Sequence, residues 1–312
     1  MSMAVRDKYV WQQFMDEKHT GMGNRIAGLP HFVYPGTSAT HLAFTRDRHK
    51  KVYASVTDAL SACVDGRGDV IVLMPGDHTV ASASLAMSKA GVKIFGPEAW
   101  MGQDMPGLKS AATLTTSVSA DEIMNVTATD CGVIGVTVIP ITTSDAIDLS
   151  SAANRFLLKN CWFDMATPAV NTGTIGITLA AASNIMIDGC TFQSDGAQGN
   201  AIVATGAIDS FIQRCRIFNT AGTWASGVLC GAATTGLWFI DNLFDCYGTA
   251  LTAGINGTGA TIANGVKCVG NRFGSLVTVG IDNFDAGECA ISENYDFGVG
   301  ATDGGVLIVA IT

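Results

Sequence analysis

Between residues 130 and 296, apolar side chains alternate with small or polar ones in short runs, and the runs return. "FLLKNCWF" at 156–163 is echoed by "IMIDGCTF" at 185–192, "LWFIDNLF" at 237–244 and "VKCVGNRF" at 266–273. An alternation of period two predicts strands rather than helices. With Cys161 as position zero, the equivalents are Cys190, Cys215, Asn242, Asn271 and Asn294, at steps of 29, 25, 27, 29 and 23 residues. Three residues earlier stand Leu158, Ile187, Ile212, Phe239, Cys268 and Ile291. Two residues later stand Phe163, Phe192, Ile217, Phe244 and Phe273, and the pattern lapses at Asp296.

A second echo lies between these runs, a small residue followed by an apolar one. Its apolar members are Ile147, Ile177, Ile202, Val228, Leu251 and Ile281. The spacing is regular except after Leu251, where "GINGTGATIANG" (254–265) reads as an inserted Gly/Asn-rich loop. Two short strands per period of about 25 residues predict a coil in which each lap lies on the next, about 4.8 Å away. Inward columns then stack like on like. Phe163 lies near Phe192, the three cysteines follow one another, and the three asparagines can bond their neighbours' amides along the stack. A single lap cannot bury its inner face alone, which is why the thiol and the ring recur.

This pattern resembles the right-handed parallel β-helix of the pectin-lyase-like superfamily, over about residues 52–312. The stretch "YASVTDALSACVDGRGDVIVLMPGDHTV" (53–80) carries the resemblance furthest. It has an amphipathic helix with Val56, Ala59, Leu60 and Cys63 on one face, then a Gly turn, then a buried strand. The resemblance implies an all-β solenoid whose open N-terminal end is plugged by this helix. An extended arm, residues 1–51, precedes the coil domain of 52–312. The arm contains a short amphipathic helix at 5–19 and a Pro/Gly-punctuated stretch at 28–40. The closing "GGVLIVAIT" (304–312) is an apolar strand that needs covering by the last coil or by a partner.

Charge sharpens the division. Residues 1–51 hold eight Lys/Arg and four Asp/Glu, whereas the remainder holds ten and twenty-three. An acidic body argues against a nucleic-acid platform. No apolar run is long enough for a membrane helix. The first residues lack the hydrophobic core of a secretory signal, so the nine cysteines are expected to be reduced thiols.

Candidate chemistry is sparse. All five histidines lie at or before His78. The Asp clusters of pectate lyases and the Asp, His and Arg-x-Lys motifs of the related hydrolases are missing from this sequence. Asp188, Asp241 and Glu293 are the acids that neighbouring laps could bring together as a glycosidase pair. Solvated turn carboxylates are the plainer reading. The "RGD" at Arg67–Asp69 reads first as a turn and only second as an integrin ligand. No catalytic residue, metal ligand or cofactor site is assigned.

The outward columns hold more information. Leu157, Met186, Phe211 and Trp238 make an apolar stripe, and Trp162, Leu243 and Tyr295 stand in the column beside position zero on its other side. Exposed stripes of this kind mark contacts between subunits or a surface covered by another segment. These seven residues are the expected interface. Within the resemblance, phage spikes and capsid-decorating proteins share the arm-plus-coil layout and are commonly trimers. The expectation is a non-enzymatic virion structural protein, assembled in the host cytoplasm. It would be a homotrimer, joined to capsid or tail protein through residues 1–51. The alternative is a tailspike-like protein that binds or cleaves polysaccharide.

Overall fold

The structure is a computed structural model. It describes residues 28–35, 51–80, 84–96, 109–117, 122–140, 145–165, 175–195, 199–222, 224–231, 233–247, 251–257, 265–282, 284 and 289–297. The expected helix at 5–19, most of the arm and the terminal strand at 304–312 lie outside these residues.

The chain winds through three parallel sheets. Sheet A has eleven strands, from Lys51–Tyr53 at one end to Cys289–Ser292 at the other. Sheet B has nine, from Gly76–Val80 to Tyr295–Asp296, and sheet C has eight, from Leu85–Met87 to Val277–Asp282. One lap runs through Leu157–Lys159 in A, Trp162–Asp164 in B and Ile177–Thr178 in C, then returns to A at Met186–Asp188. Register aligns the columns as the sequence spacing requires. Leu158 pairs with Ile187 and Ile187 with Ile212, while Phe163 pairs with Phe192 and Phe192 with Ile217. Phe163 and Phe192 stack with ring centroids 4.6 Å apart, and Phe244 and Phe273 at 5.1 Å.

The sequence reading counted two strands per lap, and the structure has three sheets. The difference lies one residue before position zero. Asn160, Gly189, Arg214, Asp241, Gly270 and Glu293 all have positive φ, between 50° and 69°. This left-handed residue turns the chain out of sheet A and into sheet B. Each run such as "FLLKNCWF" is therefore two strands joined at a corner. At Gly189 an added Cβ would lie 2.5 Å from Asn160 Oδ1, so close stacking favours glycine there.

Position zero sits just inside that corner and does the same work in every lap. Cys161 Sγ donates to Val133 O at 3.5 Å, Cys190 Sγ to Leu158 O at 3.6 Å and Cys215 Sγ to Ile187 O at 3.8 Å. Asn242 Nδ2 donates to Ile212 O at 2.9 Å, Asn271 Nδ2 to Phe239 O at 3.0 Å and Asn294 Nδ2 to Cys268 O at 2.8 Å. Each acceptor is the carbonyl three residues before position zero, one lap back. The asparagines also accept. Backbone N–H groups of Cys215, Asn242 and Asn271 donate to Oδ1 of Asn242, Asn271 and Asn294. The expected amide ladder is present, and eight of the nine cysteines are buried thiols outside any disulfide.

The second echo has a packing cause. A Cβ on Gly176 would meet the Phe192 ring at 2.8 Å, and one on Gly227 the Phe244 ring at 2.7 Å. The small residue makes room for the inward phenylalanine. At one lap the expected register is corrected. Val228 pairs with Ile255 and Ile255 with Ile281, so Ile255, not Leu251, continues the column. Residues 254–257, read as loop, belong to the strand Leu251–Gly257. Leu251 instead lies between Trp224 and Val277, a further inward layer that widens this end of the core.

The helix Val56–Ala62 forms as expected. Ser55 caps it, its side chain accepting from the Asp58 N–H at 3.1 Å, and Val56, Ala59 and Leu60 are buried in the main core. The strand Val70–Leu73 after it is buried on both faces. Pro30–Val33, within the stretch assigned to the arm, is a strand of sheet A between Lys51–Tyr53 and Val70–Leu73.

Candidate functional site

The seven expected interface residues fall on two faces. Leu157, Met186, Phe211 and Trp238 are in register on the outside of sheet A, while Trp162, Leu243 and Tyr295 lie on the outside of sheet B. The sheet A stripe starts within an outer apolar cluster of Phe32, Tyr34, Val70, Val72, Phe95 and Ile134, where Leu157 is buried. It becomes partly exposed from Met186 onward. Phe211 and Trp238 lie 5.8 Å apart, and Lys267 Nζ sits 3.9 Å over the Trp238 ring. That ammonium closes the stripe with a cation–π contact.

Sheet B carries a mixed aromatic and charged face. Trp162 packs edge-on against Phe218 at 6.2 Å, and Phe218 against Tyr247 at 5.9 Å. Arg216 lies 4.5 Å over the Phe218 ring and bonds the Tyr247 hydroxyl. Lys109 Nζ sits over Trp162 and bonds Asp164 at 2.5 Å. Trp162 points outward but is buried by these neighbours, whereas Tyr247, Tyr295 and Phe297 are 58%, 42% and 52% exposed. Sheet B thus ends in an open aromatic patch.

The acids considered for a glycosidase pair are not brought together. Asp188 lies two residues before position zero and is clamped by Arg214 at 2.8 and 2.6 Å with Lys159 at 3.9 Å. Asp241 and Glu293 are left-handed corner residues two laps apart. A different set of carboxylates converges on sheet C: Glu122, Asp145 and Asp148. Glu122 accepts from Ser84 at 3.1 Å and Asn125 at 3.0 Å, and Asp145 from Thr178 Oγ1 at 2.5 Å. Burial raises the Asp145 carboxyl, and the nearby Glu122 charge adds to the rise. Burial also raises Asp148, helped by Asp145 and Glu122. Burial alone would raise Glu122 too, but its hydrogen bonds outweigh it and hold that carboxyl below its ordinary range. The set therefore divides into one ionised acid and two that retain protons more readily. Sequence reading missed it. The one available signal was that Asp148 takes an outward position of the strand Ile147–Leu149, beside Thr178.

The RGD sequence is an internal clamp. Asp69 is fully buried and accepts from Arg67 Nε and Nη2 at 2.6 Å each. It also accepts from the Leu29 N–H at 2.8 Å and the Val64 N–H at 2.7 Å. Burial would raise this carboxyl, but the Arg67 and backbone bonds win and hold it well below the usual range. A carboxylate used in this way is not presented to a receptor, and the plainer reading of the motif stands.

Three sheets, a left-handed corner and a helix over the N-terminal end define a right-handed parallel β-helix. No protein-family profile and no curated protein matches the chain. Among solved structures, the pectin methylesterase of Aspergillus niger superposes with a TM-score of 0.58 at 15% identity, covering 92% of this chain and 91% of that one. The pectin methylesterase of Yersinia enterocolitica does so with a TM-score of 0.55 at 11% identity, covering 83% and 95%. The Dettilon tailspike protein is similar at a TM-score of 0.44 and 13% identity, over 96% and 69%. At such identities the likeness is one of fold, and function has to be argued from the surface. No helix among the described residues is long and apolar enough to cross a membrane.

Proposed function

We propose that the protein is a non-enzymatic structural protein of a virion, a stiff spike or decoration rod that self-associates as a trimer. Residues 1–51 attach it to capsid or tail protein, with Pro30–Val33 already woven into sheet A as the root of that arm. The observation that carries this reading is the apolar stripe Met186–Phe211–Trp238, which runs unbroken across successive laps and stays partly exposed. Aromatic side chains such as Trp238 are among the usual anchors of protein interfaces. Light scattering of the purified chain tests it, with a trimer expected. Trp238→Lys should shift the mass toward monomer while leaving the strand signal in circular dichroism unchanged. A monodisperse wild-type monomer overturns the reading.

A second reading, a polysaccharide-active enzyme, is favoured by the divided protonation of Glu122, Asp145 and Asp148. The solved structures of similar size are named for an activity on pectin. Incubation with a panel of acidic and neutral polysaccharides separates the two readings. Release of reducing ends or unsaturated uronates that is lost in Glu122→Gln and in Asp145→Asn would replace the structural reading with the enzymatic one.

A further inference from the structure

Among the described residues, one group of metal-capable side chains closes up. His31, Cys63 and Asp69 each place a ligand atom within 4.8 Å of the other two, and all three residues are buried. They arrive from three different elements. His31 is in the strand Pro30–Val33, Cys63 is the C-cap of the helix, and Asp69 precedes the strand Val70–Leu73. His31 Nε2 is fully enclosed, faces Asp69 Oδ2 at 3.5 Å and has no hydrogen-bond partner. Leaving a buried polar atom unpaired is costly, so an orphan aimed at a thiol and a carboxylate points to something between them.

We propose that His31, Cys63 and Asp69 form a structural zinc-type site that fastens the segment before the coil to the cap helix and the first lap. One nitrogen, one sulfur and one oxygen suit a borderline-soft divalent ion, with water as a fourth ligand. Tetrahedral bonds of about 2.0–2.3 Å bring such atoms to roughly 3.3–3.8 Å from one another, so the group closes by about 1 Å on binding. The outer shell is in place. The Tyr53 hydroxyl holds His31 Nδ1 at 3.2 Å, which orients the ring and leaves Nε2 inward. Arg67 and two backbone N–H groups hold the Asp69 carboxylate with two donors on each oxygen, and the metal displaces the Arg67 Nη2 bond to Oδ2, the oxygen facing His31, while the other three bonds keep the group in place. Binding removes the thiol proton of Cys63 to solvent and forms the thiolate–metal bond, with no change of oxidation state. No catalysis follows, because the group is closed off from substrate. Spacing along the chain does not reveal it: the ligands are 32 and 6 residues apart and follow no finger-like pattern.

The full chain, stripped of metal by a chelator, is titrated with cobalt(II). One equivalent should produce an intense near-ultraviolet thiolate-to-cobalt band, and Cys63→Ser and His31→Gln should each abolish it. Alkylation of the wild-type protein, read cysteine by cysteine by mass spectrometry, covers the case in which a variant fails to fold. Zinc at a hundred times its dissociation constant should slow modification of Cys63 about 100-fold. Absence of the band in wild type overturns the proposal. So does a band that survives Cys63→Ser, or an alkylation rate at Cys63 that ignores zinc.

Discussion

Position zero of the corner is held by thiols in the laps of Cys161, Cys190 and Cys215, and by amides in the laps of Asn242, Asn271 and Asn294. Both side chains donate to the same carbonyl one lap back, the thiols at 3.5–3.8 Å and the amides at 2.8–3.0 Å. Only the amide also accepts a backbone N–H from the previous lap. A thiol is a weak donor and a weaker acceptor, and it behaves mainly as a small apolar filler. The two halves therefore share a shape but not a source of cohesion. The cysteine half is held by packing, while the asparagine half is also held by a ladder in which every member needs its neighbours. The substitution Cys→Asn between Cys215 and Asn242 marks where one scheme hands over to the other.

The comparison breaks hardest at Asn271. Asn271→Ala takes the acceptor from the buried Asn242 N–H, at about 1–3 kcal/mol, and removes the side-chain donor from the Phe239 carbonyl. A loss of roughly 2–5 kcal/mol in urea unfolding is expected, and exchange of the Asn242 amide should speed up markedly. Asn271→Cys sharpens the point, because the thiol can still reach Phe239 O but cannot replace the acceptor. Its loss should fall between that of the alanine variant and about 1 kcal/mol. Cys190→Ala, in the other half, removes one small buried group and a weak donor, for about 1 kcal/mol. If Cys190→Ala costs as much as Asn271→Ala, the distinction between the halves fails. Burial raises the Cys190 thiol well above its ordinary range, with Cys161 and Cys215 adding to the rise. Native protein should therefore resist thiol reagents at this position until it unfolds.

The pH dependence of stability should enter through partly buried carboxylates. Asp148 is one. Its carboxyl is raised on folding, chiefly by burial. The folded state therefore holds the proton longer, and the associated stability is complete below the unfolded value and lost as pH rises through the folded one. Asp148→Asn should give a small gain at neutral pH and flatten the decline in melting temperature from acid to neutral. A steeper decline would contradict this account.

The coil was legible in the sequence because its inward columns repeat a residue type. Leu, Ile, Phe or Cys stands three residues before position zero and Phe or Ile two after it, and these columns need no long-range knowledge to align. The corner was harder to read. Asn, Gly, Arg, Asp and Glu share the left-handed slot, so composition does not announce the turn that splits one apparent strand into two. The shift from Leu251 to Ile255 was hidden because four residues preserve the inward face, leaving both candidates equally apolar. The Glu122, Asp145 and Asp148 group and the His31, Cys63 and Asp69 group were unreadable for a common reason. Their members meet only after the laps are laid down.

The overlaid laps also make the protein's reach a matter of counting. A segment from one position zero to the residue before the next, such as 190–214, brings its own inner lining and its own bend, and it offers the chemical groups its neighbours expect. Duplicating or excising such a cassette would move the far tip by one interstrand spacing, about 4.8 Å, while each remaining layer keeps the company it had. Length in this architecture can thus be adjusted in discrete increments, independently of whatever the two ends hold.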